Sequence, residues 1–175
     1  EELRDFVTAA TSGRTDFTWR SLNRRYLMDD LYLPSMQSET IEEGVICNDT
    51  SGSIGDHLLN MVGGEIVSIC ETCKPERMRI LWWDTKVHGE QVFEGDFSGI
   101  ATALKPMGGG GTELSCVADY VRANNMNPAF MIIFTDGYVE DDPDVSYGCP
   151  VLWLLPPCHN REFNPAVGKK VIVEA

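Results

Sequence analysis

The sequence predicts an α/β fold in which an open, mostly parallel β-sheet carries helices on both faces. From Ile41 onward, short apolar segments typical of strands alternate with segments whose apolar residues recur at helical spacing. One of these strands, Ala129 to Thr135 (AFMIIFT), is apolar almost throughout, as expected of a central strand that is covered on both faces. Strands that alternate with helices in this way are typical of parallel sheets.

The elements are predicted from patterns that follow one another along the chain. Apolar residues from Ile54 to Ile69 have the spacing of a first helix, and Thr112 is the expected N-cap of a second helix that carries Leu114 and Val121. The remaining strands are expected at short apolar runs: Gly44 to Asn48, Met78 to Trp83, Val87 to Phe93, Val151 to Leu155 and Lys170 to Val173. The second and third of these runs flank a tight turn, which predicts one antiparallel hairpin at the edge of the sheet.

Residues 1–40 differ in pattern from the rest of the chain. A short helix is plausible from Glu1 to about Ala10, and Thr11 to Thr40 is a polar, turn-rich stretch with few periodic apolar positions. We therefore expect an N-terminal helix and connecting arm in residues 1–40, followed by a single α/β domain in residues 41–175. Because the sequence lacks an initiator methionine, we also expect it to be a fragment of a longer chain.

Charge and composition exclude several classes of partner. The chain has 175 residues and a formal net charge of -13, which repels phosphate backbones and argues against nucleic acid. It has neither a stretch of roughly 20 apolar residues nor a signal-peptide core, so we expect no membrane contact and a cytoplasmic location.

Its six cysteines fit reduced thiols better than a disulfide framework, and Cys70-x-x-Cys73 is more simply structural than a zinc site.

Asp49, Ser51 and Ser53 form a D-x-S-x-S motif directly after the first strand of the domain. In an extended turn, alternate residues point the same way, so one carboxylate and two hydroxyls converge. Oxygen ligands of this kind suit Mg²⁺, Mn²⁺ or Ca²⁺ rather than zinc. The motif therefore predicts a site for a hard divalent cation.

Two further loops are expected at the same edge of the sheet. A glycine run, Gly108 to Gly111, leads to Thr112, and Asp136 follows the AFMIIFT strand. In open α/β sheets, ligands bind outside the carboxyl ends of the strands, near the point where strand order reverses. Each of these residues alone has a simpler explanation as a helix cap or a turn, and only their joint position favours a site.

The three loops together resemble the von Willebrand factor A-like family, a group of Rossmann-like domains with a metal-ion-dependent adhesion site. That site uses D-x-S-x-S, a Thr from a second loop and an Asp from a third. The resemblance implies that Ser51, Ser53 and Thr112 approach the ion through hydroxyls, while Asp49 and Asp136 hold its waters. It also implies that a partner protein supplies a Glu or Asp to the open coordination position.

A longer resemblance extends ahead of the motif. The segments D-F-T-W-R-S-L-N-R-R-Y-L (Asp16 to Leu27) and Y-L-P-S-M (Tyr32 to Met36) look like a bacterial and phage group within this family. Its members join an N-terminal metallopeptidase-type domain to a C-terminal A-like domain. No H-E-x-x-H occurs in this sequence, so the resemblance places any peptidase activity in a missing upstream region.

The function predicted from these features is recruitment of an acidic protein partner through a bound divalent cation. No nucleophile with a partnered base is recognisable, so no catalytic residue is assigned. Two alternatives remain open. One is a metal-dependent hydrolase in which Asp49 and Asp136 surround an activated water, and the other is a docking module with a vestigial site.

Overall fold

The computed structural model of the protein describes most of the residues from 41 onward and parts of the N-terminal region. The described residues are 5–7, 9, 15–22, 34–38, 41–51, 56–97, 99–100, 107–140 and 146–173. For residues 15–22, 34–38, 56–62 and 73 the description is of the backbone alone.

The described residues form eight strands and two helices of nine residues or more. In order, the elements are β1 (Thr15–Leu22), β2 (Pro34–Ser38), β3 (Glu43–Asp49), α1 (Asp56–Cys73), β4 (Arg77–Trp83), β5 (Val87–Glu94), α2 (Ser115–Ala123), β6 (Phe130–Phe134), β7 (Val151–Leu155) and β8 (Lys169–Ile172). Neither helix, nor any other within the described residues, is long and apolar enough to cross a bilayer.

The central sheet has six strands in the order β5-β4-β3-β6-β7-β8. All neighbouring strands are parallel except β4 and β5, which form an antiparallel hairpin at one edge. The predicted fold class is therefore confirmed, including its single antiparallel edge hairpin. From β3 the chain continues to β4 on one side, and from β6 it continues to β7 on the other, so the strand order reverses between β3 and β6.

Each face of this sheet is covered by its own hydrophobic core. Because side chains alternate along a strand, Ile46 faces one side, where Ile66 and Ile69 of α1 pack. Cys47 faces the other side, where Val117 and Val121 of α2 pack. Two layers of helices thus enclose the sheet, and they leave the carboxyl ends of the central strands available for loops.

Close packing at one glycine fixes how β3 and β6 meet. Gly44 lies so near the ring of Phe130 that an added Cβ would be 2.6 Å from Phe130 Cζ. Gly44 and Phe130 are also direct partners in the parallel register of these strands. No larger residue fits at this position of β3 unless the aromatic ring moves.

The N-terminal region contains more regular structure than the sequence suggested. Residues 5–7 and 9 are helical, and Val7 is buried in the core on the α1 face. Strands β1 and β2 pair antiparallel within the segment that we expected to be a connecting arm. The spacing of Phe17 and Trp19 was the available signal, since residues two apart share a face of a strand.

The second helix begins later than its apparent capping residue indicated. The prediction that Thr112 is the N-cap is wrong, because α2 starts at Ser115 and Leu114 occupies the N-cap without a side-chain hydrogen bond. The segment before the helix is held by tertiary contacts instead. The Glu113 backbone N–H donates to the carbonyl of Asp84 at 2.9 Å. This tertiary hydrogen bond outweighs the local preference of Thr112 for an N-cap position.

Candidate functional site

Asp49 is the last residue of β3, and its side chain is fully buried. Its Oδ1 accepts a hydrogen bond from the backbone N–H of Ser51 at 2.8 Å. Its Oδ2 accepts the hydroxyl hydrogen of Thr135 at 2.8 Å, which the parallel pairing of β3 with β6 makes possible. The carboxylate is therefore held rigidly at the point where the strand order reverses.

The surroundings of Asp49 raise its pKa. Burial is the main cause, because it disfavours the ionised carboxylate, and the negative charge of Asp136 adds to the effect. Hydrogen bonds from Ser51 and Thr135 act in the opposite direction without cancelling the rise. Asp49 and Asp136 thus lie close enough to repel one another, and a cation beside them would relieve that repulsion.

Asp136 follows β6 directly and is 4% exposed. Its Oδ1 accepts the N–H of Tyr138 at 3.1 Å, and its carbonyl accepts the N–H of Asn160 at 2.8 Å. The side-chain amide of Asn160 also donates to the carbonyl of Gly137 at 3.1 Å. The segment around Asn160 therefore fixes the turn that carries Asp136.

Thr112 directly follows the glycine-rich loop (residues 108–111) and is 3% exposed. Its carbonyl accepts the N–H of Glu140 at 2.8 Å, which ties this loop to the one that carries Asp136. The neighbouring bond from Glu113 to the carbonyl of Asp84 ties it to the end of β4. The glycine-rich loop is thus attached on both sides to the carboxyl edge of the sheet.

Thr50 connects the D-x-S-x-S motif to the same neighbours. Its backbone N–H donates to the carbonyl of Trp83 at 2.8 Å. Its hydroxyl lies 3.0 Å from the carbonyl of Trp83 and 3.1 Å from that of Met107, so both are within reach of its single hydrogen. The residue between two candidate ligands thus joins β3, β4 and the start of the glycine-rich loop.

Four of the five predicted site residues are buried at one edge of the sheet: Asp49, Ser51, Thr112 and Asp136. The fifth, Ser53, lies outside the described residues. Within the described part of the chain, no three His, Cys, Asp or Glu side chains are grouped so that they could hold a metal ion. The oxygen groups that interact there are the carboxylates of Asp49 and Asp136 and the hydroxyls of Ser51 and Thr135, a set that suits a hard cation better than zinc.

Sequence reasoning gave no role to Thr135, which was only the last residue of a predicted strand. Its hydroxyl donates to Asp49 and also accepts the N–H of Gly137 at 3.2 Å. The sequence signal for such a role was that a hydroxyl-bearing residue directly precedes Asp136. Its partner could not be identified without knowing that β3 and β6 are neighbours.

Asp84 lies in the turn between β4 and β5, but its contacts extend beyond that turn. Its Oδ1 accepts hydrogen bonds from the N–H of Lys86 at 3.2 Å and from His88 Nε2 at 2.6 Å. Its Oδ2 accepts the N–H groups of Gly109 at 3.2 Å and Gly110 at 3.0 Å. Burial alone would raise the pKa of Asp84, but these hydrogen bonds outweigh burial and hold it well below its usual range.

An exposed aromatic residue stands next to the buried carboxylates. Tyr138 is 62% exposed, and its backbone N–H is the group that donates to Asp136. Large exposed apolar side chains are common at protein interfaces, where tyrosine is often an anchor. The edge of the sheet thus combines a buried polar centre with an aromatic side chain directed outward.

These features define the class of the protein. It has an open, mostly parallel sheet between two helical layers, and buried polar residues from separate loops lie where the strand order reverses. Residues 45–174 match the family described as VWA-like domain (DUF2201), and the chain belongs to this family. A comparison with curated proteins gave no match.

Proposed function

We propose that this domain binds a divalent cation through Asp49, Ser51, Ser53, Thr112 and Asp136 and uses it to recruit an acidic side chain of a protein partner. The observation that carries the proposal is the burial of two carboxylates, Asp49 and Asp136, at the switch point of the sheet. Two buried negative charges near one another are costly unless they share a proton or a cation. Hydroxyl-bearing residues beside the two carboxylates favour a shared cation over a shared proton.

The chemistry of this ligand set explains why the site would bind an acid. Mg²⁺ is the proposed ion, with Mn²⁺ or Ca²⁺ as alternatives, because all three prefer oxygen ligands. Neutral hydroxyls at Ser51, Ser53 and Thr112 would leave the ion electron-poor. An incoming Glu or Asp then gains Coulomb attraction and a direct bond to the metal.

The wider context of the domain is part of the same proposal. We infer that it forms the C-terminal part of a longer bacterial or phage protein whose upstream region is a metallopeptidase-type domain, working in the cytoplasm. Two segments support this inference, because both resemble that group: Asp16 to Leu27 and Tyr32 to Met36. The partner would then be a protein that the longer chain must engage.

A metal-dependent hydrolase is the second candidate, in which Asp49 and Asp136 would surround an activated water, and the burial of both carboxylates at one edge of the sheet favours it. Hydrolysis of phosphoester or peptide substrates that disappears in Asp136→Asn would establish this activity. A docking module with a vestigial site is the third candidate. Equal thermal stability with and without metal would favour that role.

The proposal is tested by isothermal titration of Mg²⁺ and Mn²⁺ into chelator-treated protein. We expect saturable binding that Asp49→Ala abolishes and that Thr112→Ala weakens to a measurable degree, because the other four ligands remain. Asp119→Ala is a matched control, because it removes a carboxylate that is 76% exposed on α2, where it pairs with Arg122 at the surface. Binding that persists in Asp49→Ala, or a partner that stays bound in chelator, would contradict the proposal.

A further inference from the structure

We propose that Asp84 is a positioning residue of the metal site, because its carboxylate holds the glycine-rich loop (residues 108–111) in the conformation that sets Thr112 at the carboxyl edge of the sheet. This inference rests on the proposed function, since Thr112 is a candidate ligand only if a cation binds there. Asp84 itself is not one of the five candidate ligands.

Asp84 holds the loop on both sides of Thr112. Before Thr112, its Oδ2 accepts the N–H groups of Gly109 at 3.2 Å and Gly110 at 3.0 Å. After Thr112, its backbone carbonyl accepts the N–H of Glu113 at 2.9 Å. One residue therefore fixes three backbone positions around a single candidate ligand.

The anchor itself is immobilised against the β4–β5 hairpin. The other carboxylate oxygen, Oδ1, accepts hydrogen bonds from Lys86 at 3.2 Å and His88 at 2.6 Å, and the side chain of Asp84 is 5% exposed. With both oxygens engaged in this way, Asp84 acts through the loop and not by contact with the ion. A carboxylate suits this task because it can accept several N–H bonds at once.

A role in the hairpin turn does not account for these contacts. The bond from Lys86 joins residues two apart and is typical of a turn, whereas Gly109 and Gly110 lie 25 and 26 residues beyond Asp84. The approach is also close, since a Cβ added at Gly110 would lie 3.0 Å from Asp84 Oδ2. The loop is therefore shaped to receive this side chain.

Glycine-rich segments need such an anchor because they have many accessible backbone conformations. Gly108 and Gly109 have φ values of +135° and +142°, which residues with side chains rarely adopt. Without external hydrogen bonds, little would keep the loop in this state. The carboxylate of Asp84 supplies those bonds from an ordered strand end.

The first test is a double-mutant cycle on magnesium affinity, measured by calorimetry on wild type, Asp84→Ala, Thr112→Ala and the double variant. Loss of a residue that orients a metal ligand typically weakens metal binding about 10- to 100-fold. We expect a loss in this range for Asp84→Ala and no additional loss when Thr112 is already alanine, because both changes act on one ligand. Asp84→Asn keeps an acceptor oxygen, so it should retain part of the affinity, and it serves as the second variant if Asp84→Ala does not fold.

The second test is hydrogen exchange at the amides of Gly109 and Gly110 in chelator. We expect both amides to exchange faster in the Asp84 variants than in wild type, whereas a residue that only stabilises the hairpin would leave them unchanged. Unchanged exchange, wild-type magnesium affinity in Asp84→Ala, or losses that multiply in the double variant would each overturn the inference. If wild type binds no magnesium, the proposed function fails, and the exchange rates alone still decide whether Asp84 holds the loop.

Discussion

Thr135 donates its hydroxyl hydrogen to Asp49 across the boundary between β3 and β6, with 2.8 Å between Thr135 Oγ1 and Asp49 Oδ2. The same oxygen accepts the N–H of Gly137 at 3.2 Å. One hydroxyl therefore connects the end of β3 to the turn that carries Asp136. This bond sets how the two buried carboxylates lie relative to one another.

Replacing Thr135 by valine should destabilise the protein. Valine has nearly the same shape but no hydroxyl, so a buried carboxylate oxygen of Asp49 and the N–H of Gly137 each lose a partner. The expected cost is about 1–3 kcal/mol in the free energy of unfolding, measured by urea denaturation. Thr135→Ser is the control, because it keeps the hydroxyl and should stay closer to wild type. Equal stability of the valine variant would show that this bond contributes nothing.

The raised pKa of Asp49 predicts a specific pH dependence in chelator. In the folded protein Asp49 holds its proton above its ordinary pKa of 3.8, chiefly because of burial. Between the ordinary and the raised value, the folded state binds more protons than the unfolded state, so stability falls as pH rises through this window. Asp49→Asn cannot titrate and supplies the reference.

The quantity to measure is the free energy of unfolding of wild type minus that of Asp49→Asn, across pH. We expect this difference to decrease as pH rises above 3.8 and to level off above the raised pKa of Asp49. A difference that increases with pH would mean that the fold favours the ionised carboxylate instead. Saturating Mg²⁺ should flatten the curve if the ion binds beside Asp49.

Gly137→Ala should destabilise the turn that carries Asp136. Gly137 has a φ of +78°, and a Cβ added there would lie 2.8 Å from Cβ of Phe163. Gly148 is a matched control, because its φ is +76° but nothing lies within 4 Å of an added Cβ. Left-handed backbone alone costs an alanine about 1–2 kcal/mol, so Gly148→Ala should lose about that much.

Gly137→Ala should lose more stability than Gly148→Ala, since Phe163 is buried against the ring of Trp153 and cannot easily move. Thermal or urea unfolding of the two variants gives the comparison directly. A loss of stability no greater than that of Gly148→Ala would show that the segment around Phe163 can move away from the added Cβ without destabilising the protein.

Local patterns were sufficient to predict the sheet and the position of Asp49 and Asp136 at its edge. The apolar run before Asp49 and the one before Asp136 identify two strands, and the rule that ligands gather at the switch point brings their loops together. The structure has β3 and β6 as neighbours at that point. Fold class and the edge position of these residues were therefore accessible from the sequence alone.

Contacts between distant segments were not accessible in the same way. The bond from Thr135 to Asp49 joins residues 86 apart, and those from Gly109 and Gly110 to Asp84 join residues 25 and 26 apart. Such bonds depend on which strands are neighbours and on how loops are held between them. Thr112 illustrates the limit, because its local sequence favours a helix cap while tertiary bonds around it prevail.

The contact between Gly44 and Phe130 has a consequence for how changes in chain length are tolerated. A one-residue insertion or deletion inside β3 would present Glu43 or Val45 to the Phe130 ring, where even a Cβ does not fit. It would also turn Asp49 toward the face where Asn48 now lies, away from the hydroxyl of Thr135. The alternation of side chains along this strand is therefore fixed at Gly44, five residues ahead of Asp49, and conservative substitutions elsewhere in β3 should be tolerated better than changes in its length.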